Sequence, residues 1–119
     1  MANIAGVLAP AELDAVTFTI GATTASAVKT FWPGAIILVS VAATAGAAAG
    51  VTATFGQVNA GPLGGIGHAP TTPSATNGFF INANAPAQQI WLGSQRDSIQ
   101  FFNNTAAAVT VSIQPMSVS

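Results

Sequence analysis

Apolar residues alternate with polar ones near both ends of this chain. Val16, Phe18 and Ile20 are interleaved with Thr17 and Thr19, and Val109, Val111 and Ile113 with Thr110, Ser112 and Gln114. A period of two sends successive side chains to opposite faces of an extended backbone, so each segment predicts a strand with one buried face. No stretch carries a comparable helical period. The Ala-rich run 42–50 has the residue of best helix propensity, but Gly46 and Gly50 interrupt it and no apolar face is defined. It reads as a loose turn between strands.

More strand segments lie between those two. Residues 25–32 stop at Pro33-Gly34, where Pro presets φ and Gly accepts a positive one. Residues 35–43 follow, then 51–57, then Phe79-Phe-Ile-Asn82, Gln88-Gln-Ile-Trp-Leu92 and Asp97-Ser-Ile-Gln-Phe-Phe102. Segments 35–43 and 51–57 predict a hairpin. So do 97–102 and 109–113, joined through the turn Asn103-Asn104-Thr105. About eight strands without a helix describe an all-β, antiparallel sandwich, with a jelly roll as one way to close it. The expected organisation is one domain over residues 1–119, with an N-terminal arm at 1–14 and a long Gly/Pro-rich loop at 57–78. A loop of that length is usually functional or flexible.

Charge is scarce. Lys29 and Arg96 face Glu12, Asp14 and Asp97, a charged fraction of 4% against about 25% in ordinary proteins. Soluble monomers rely on mixed charge to resist association, so this surface calls for cover by neutral polar residues or by neighbouring chains. Disorder is a poor account of the same scarcity, because half of the residues are hydrophobic, with seven Phe and two Trp. Two basic residues do not supply the phosphate neutralisation that nucleic-acid affinity rests on. With no Cys there is neither a disulfide framework nor a thiolate metal site. Met1 to Leu8 lacks the positive charge of a secretory signal. The uncharged stretch 35–49 falls short of the roughly 18 to 20 apolar residues a membrane span needs, and its β-branched half suits a buried strand.

Catalytic chemistry finds little footing. His68, in Gly-Ile-Gly-His-Ala-Pro, lacks converging ligands for a metal or a partner for base catalysis, and reads as a loop residue making a local hydrogen bond. A carboxylate pair can be drawn from Asp97 with Glu12 or Asp14, but no spacing selects it. Glu12 and Asp14 read as a solvated approach to the first strand, and Arg96-Asp97 as a neighbouring charge pair at a strand entry. Gly61-Pro-Leu-Gly-Gly-Ile-Gly67 lacks the Gly-Lys-Ser/Thr ending of a phosphate loop. The sequon Asn103-Asn104-Thr105 is explained by the turn alone. The expectation is therefore no enzyme, no metal and no cofactor. Trp32, Trp91, Phe79, Phe80, Phe101 and Phe102 read first as core and second as a sugar platform. The adjacent Phe pairs carry a constraint of their own, because neighbours in a strand face opposite ways. One of each pair must meet another subunit, a covering loop or solvent.

The segment Asp97-Ser-Ile-Gln-Phe-Phe-Asn-Asn-Thr-Ala-Ala-Ala-Val-Thr-Val-Ser-Ile113, with the Ala/Thr/Gly-rich sequence before it, resembles the small β-sandwich proteins that decorate or cement tailed-bacteriophage capsids. The resemblance implies a virion protein, often trimeric, assembled in the host cytoplasm. It would sit on the capsid exterior at junctions of the major capsid protein and strengthen the shell. By that analogy Ile4, Val7, Leu8, Leu63, Ile66 and His68 would make intersubunit contacts, being mostly apolar residues in irregular segments. Its partners would be copies of itself and the major capsid protein, without nucleic acid or membrane. A second reading is a carbohydrate- or receptor-binding module of a fibre, spike or adhesin, which expects a monomer with Trp91 facing solvent. A pilus-like or membrane-embedded coat subunit, resting on 35–49, is the third.

Overall fold

The computed structural model describes residues 8–10, 15–43, 50–58 and 70–118. Among these the chain forms nine strands and no helix: β1 (Leu8–Pro10), β2 (Val16–Ile20), β3 (Lys29–Thr30), β4 (Ile36–Ala43), β5 (Gly50–Gly56), β6 (Phe79–Asn82), β7 (Gln88–Trp91), β8 (Ser98–Asn103) and β9 (Val109–Val118). They make two antiparallel sheets. One runs β1-β9-β4-β7, with β2 also on β9, and the other runs β3-β8-β5-β6. β2 lies against 109–113 of β9 and β1 against 116–118, so the five strands of the first sheet occupy four places.

The connectivity is that of a jelly roll. β2 pairs with β9, β3 with β8, β4 with β7 and β5 with β6, so the first half of the chain runs antiparallel to the second as one long ribbon. The pairings of β4 with β9 and β5 with β8 close the rolled ribbon into sheets.

Alternation sets what lies between the sheets. Ile37, Val39 and Val41 of β4 meet Val109, Val111 and Ile113 of β9 on the inner face, opposite Val51, Ala53, Ile99 and Phe101. All are buried. Each Val, Ile or Phe so enclosed contributes about 1.5–3 kcal/mol. The outer face of β2, β9 and β4 carries Thr17, Thr19, Thr110, Ser112, Gln114 and Ser40, and the Thr17 and Ser112 hydroxyls lie 3.3 Å apart.

Both expected hairpins are absent. β4 and β5 lie in different sheets, and so do β8 and β9. Alternation assigns a residue to a face and leaves its partner strand open. At the second site Asn103 makes the chain cross between sheets instead. Its side chain is 0% exposed; Nδ2 donates to the carbonyls of Ile20 and Gly21, both at 3.0 Å, and of Ala107 at 2.8 Å, and Oδ1 accepts from Thr105 N–H at 2.8 Å. These bonds fasten the β8–β9 crossing to the end of β2, and they bury the acceptor nitrogen of the sequon.

The strand expected over 25–32 contracts to β3. Before it, Ser26 stands beside Phe101, donating its N–H to the Phe101 carbonyl at 2.7 Å and accepting the Phe101 N–H on Oγ at 3.1 Å. The Pro33-Gly34 turn is as expected, with Gly34 at φ 74° and Ala35 N–H donating to Trp32 C=O at 3.1 Å. Part of the long loop also has a place. Thr52 and Thr54, outward on β5, donate to the carbonyls of Ser74 and Thr71, and Pro70 and Pro73 are buried, so residues 70–77 cover the outer face of the second sheet.

Candidate functional site

β6 and β7 are the outermost strands of their sheets on one side of the sandwich. The connector 83–87 carries the chain from one to the other, and Asn84 sets its path. At φ 56°, Asn84 donates its N–H to Val41 C=O at 2.7 Å, and its side-chain amide exchanges bonds of 3.0 and 3.1 Å with the backbone of Ala43. An Asx side chain tolerates this left-handed backbone and can imitate a strand residue. β7 thereby starts at a fixed height beside β4, in the register Ile37↔Ile90 and Ile36↔Trp91.

That register points Ile90 into the core and Trp91 outward. On β6, Ile81 is buried, Phe79 lies on the same side nearer the mouth of the sandwich, and Phe80 points away. Three large rings are exposed on this side of the sandwich, each on a different face: Trp91, 61% exposed, on the outer face of the first sheet, Phe80, 47%, on the outer face of the second, and Phe79, 42%, at the opening between them. Between the two strands opens a cleft of about 270 Å³ lined by Phe55, Phe79, Gln88, Gln89, Ile90 and Trp91. The indole nitrogen of Trp91 lies close to Gly34, where a Cβ would approach to 3.9 Å. Neither strand has a charged residue, and the polar groups offered by the cleft's side chains are two primary amides and the indole N–H. Such a wall suits neutral surfaces and does nothing for acid–base chemistry.

The pair Phe79-Phe80, of which one was expected to leave the core, has both rings exposed, and Trp91, read first as core, is on the surface. Phe101 is buried and Trp32 packs partly buried against the core, whereas Phe79, Phe80 and Trp91 are exposed. Edge position explains the difference, because a strand with no outer neighbour leaves its large side chains covered on one flank only. Phe102, outward on β8, is half-buried.

The polar residues divide similarly. Asp97, read with Arg96 as a neighbouring charge pair at a strand entry, does immediately precede β8 and is 1% exposed. Its Oδ1 accepts Val58 N–H at 2.8 Å and its N–H reaches Gly56 C=O at 3.0 Å, so it fastens the end of β5 to the start of β8. Arg96 is exposed in the preceding turn. Lys29 places its ammonium 4.3 Å over the Phe18 ring, on the side of the sandwich away from β6 and β7. Ile4, Val7, Leu63, Ile66 and His68, with Glu12 and Asp14, lie outside the described residues; Leu8 is in β1, its backbone opposite Val118. Among the described residues no three His, Cys, Asp or Glu side chains gather as metal ligands, and no helix is long and apolar enough to cross a membrane. Residues 36–43 of the stretch weighed as a span form β4.

No protein-family model matches this chain, and no curated protein or solved structure matches it either.

Proposed function

We propose that this chain is a structural subunit of a virion, decorating and stabilising a phage capsid through repeated contacts with the major capsid protein and with copies of itself. The observation that carries the reading is the exposure of Trp91, Phe79 and Phe80 on two edge strands without charge. Of these, Phe79 and Trp91 line one largely apolar cleft, and exposed apolar surface of this kind marks an association site. The scarcity of charge elsewhere on the chain agrees with a molecule whose neighbours are fixed by an assembly. Many weak contacts on a repeating lattice sum to tight attachment without any catalytic step.

The test is light scattering on the purified chain, alone and then mixed with capsids that lack it, at low and at high salt. Self-association and particle binding that persist at high salt are expected, since apolar contacts are not screened. A chain that stays monomeric and never binds particles rules the proposal out.

The exposure of Trp91 beside Gln88 and Gln89 also favours a second reading, a module that stacks a neutral sugar on the indole and bonds its hydroxyls to the amides. That reading expects a monomer whose tryptophan emission changes on titration with neutral saccharides.

A further inference from the structure

We propose that Asn77 is a site of self-modification: the backbone nitrogen of Gly78 closes on its side-chain amide, releases ammonia, and leaves an aspartyl or isoaspartyl residue at the foot of β6. Nothing in this chemistry depends on the capsid reading.

Of the asparagines in the sequence only Asn77 is followed by glycine, which has no side chain to crowd the attack of its own nitrogen. The fold demands that glycine. Gly78 has φ 129°, and a Cβ there would stand 2.8 Å from the Ala53 carbonyl oxygen of β5. Asn77 and Gly78 are both exposed, at the end of the turn 74–77, and among the described residues neither the Asn77 side chain nor the Gly78 N–H has a hydrogen-bond partner. Other asparagines are held. Asn103 is buried with its amide engaged at both ends, Asn84 has its amide on the backbone of Ala43, Asn104 has its amide atoms out of solvent, and Asn82 is paired with Gly50 in β6.

The step is intramolecular, with nucleophile and amide on adjacent residues. Once hydroxide has taken the Gly78 N–H proton, the nitrogen forms a bond to Asn77 Cγ. The Cγ–Nδ2 bond breaks, and Nδ2 leaves as ammonia with a proton from water. Water then adds to either carbonyl of the cyclic imide and breaks that carbon's bond to the Gly78 nitrogen. Opening at Cγ gives aspartate. Opening at the main-chain carbonyl carbon gives isoaspartate, whose backbone runs through Cγ and is one atom longer. The net change turns an amide and water into a carboxylate and ammonium, with no oxidant or reductant. Ring closure needs the peptide between Asn77 and Gly78 to swing, and the turn restrains it weakly. The two backbone bonds between Ser74 and Asn77 are 3.3 Å each, at the long end of the range, and Thr52 ties the turn to β5 through the Ser74 carbonyl. The product sets a carboxylate just ahead of β6, a strand without charge, and the isoaspartyl form lengthens the backbone before the register Ala53↔Phe79.

The experiment incubates the full folded chain at neutral and at alkaline pH. It follows the intact mass, the position of the change by peptide mapping, and isoaspartate by enzymatic methylation of its free carboxyl. The expected result is the mass gain of an –NH2 replaced by –OH, mapped to Asn77 before any other asparagine, at a rate that rises with hydroxide. Asn77→Gln changes an exposed side chain without a partner, so it should keep the melting profile and lose the early mass gain, its longer side chain closing a ring less readily. Thr52→Val should speed the conversion, because the turn is released from β5 and opens more often. Conversion that maps first to another asparagine overturns the inference. So does an Asn77 that stays an amide in the folded chain over the time in which the urea-unfolded chain converts there, and an unchanged rate in Thr52→Val overturns the part given to Thr52.

Discussion

Single polar side chains decide where this chain bends. Asn103 satisfies three carbonyls and one N–H from inside the sandwich, a number that no apolar replacement can match. Asn103→Ala takes the buried partner from the Ile20 carbonyl and the Thr105 N–H, while the Gly21 and Ala107 carbonyls are on exposed residues and Ala107 keeps the Thr105 hydroxyl, so a cost of about 1–3 kcal/mol is expected. Urea unfolding should show a lower midpoint with an unchanged slope. Backbone closeness is as strict at Gly50, where a Cβ would stand 2.0 Å from the Ile81 carbonyl oxygen. Gly50→Ala must push β5 and β6 apart, and a loss of about 3 kcal/mol or more is expected in the same measurement. Gly21 supplies the contrast, since a Cβ there meets nothing nearer than Thr24 Oγ1 at 3.8 Å. Gly21→Ala should stay within about 0.5 kcal/mol of wild type.

At the scale of elements, alternation revealed faces and hid partners. Val16–Ile20 and the first half of β9 are strands as their pattern says, and Phe101 and Phe102 do face opposite ways. The hairpins failed because neighbours in sequence and neighbours in a sheet are different things in a rolled ribbon. Among strands consecutive in sequence only β5 and β6 are partners, and they are joined through the loop with no pattern at all. The candidate site was legible only in part for the same reason. Adjacent phenylalanines announced that one must leave the core, but nothing in Gln-Gln-Ile-Trp says that β7 is an edge, so Trp91 read as interior. The burial of Asp97 depends on Val58 and Gly56, partners remote in sequence, and so left no local trace. The covering of the second sheet by residues 70–77 was equally silent, and it is testable. Thr52, 3% exposed, holds Ser74 C=O at 2.7 Å. Thr52→Val removes that bond while keeping the shape, so about 1 kcal/mol is lost. Cleavage within 70–77 under limited proteolysis should accelerate well before global unfolding, because the segment loses its hold on β5.

The whole molecule is closed by contacts between the ends of the chain. β2 is held by β9, with Thr17 and Ser112 in contact across 95 residues of sequence, and the Asn103 side chain reaches Ile20 across 83. Among the described residues no helix or tight hairpin gives the chain a local nucleus to build on, and the β4–β9 and β5–β8 ladders that complete the sheets also join distant segments. Such pairings incur the entropy of closing a long loop before burial returns anything. Refolding from urea should therefore take milliseconds to seconds, in the slow range for domains of this size, when followed by stopped-flow tryptophan fluorescence. The same order of events bears on assembly. Among the described residues β6 pairs only with β5 and β7 only with β4, so the edge that carries the exposed aromatic residues is expected to be complete only once both sheets are. Dilution of the unfolded chain should give a concentration-independent folding phase first and a concentration-dependent mass increase after it. If mass instead rises before the fluorescence change is complete, association begins from unpaired strands and not from the finished edge.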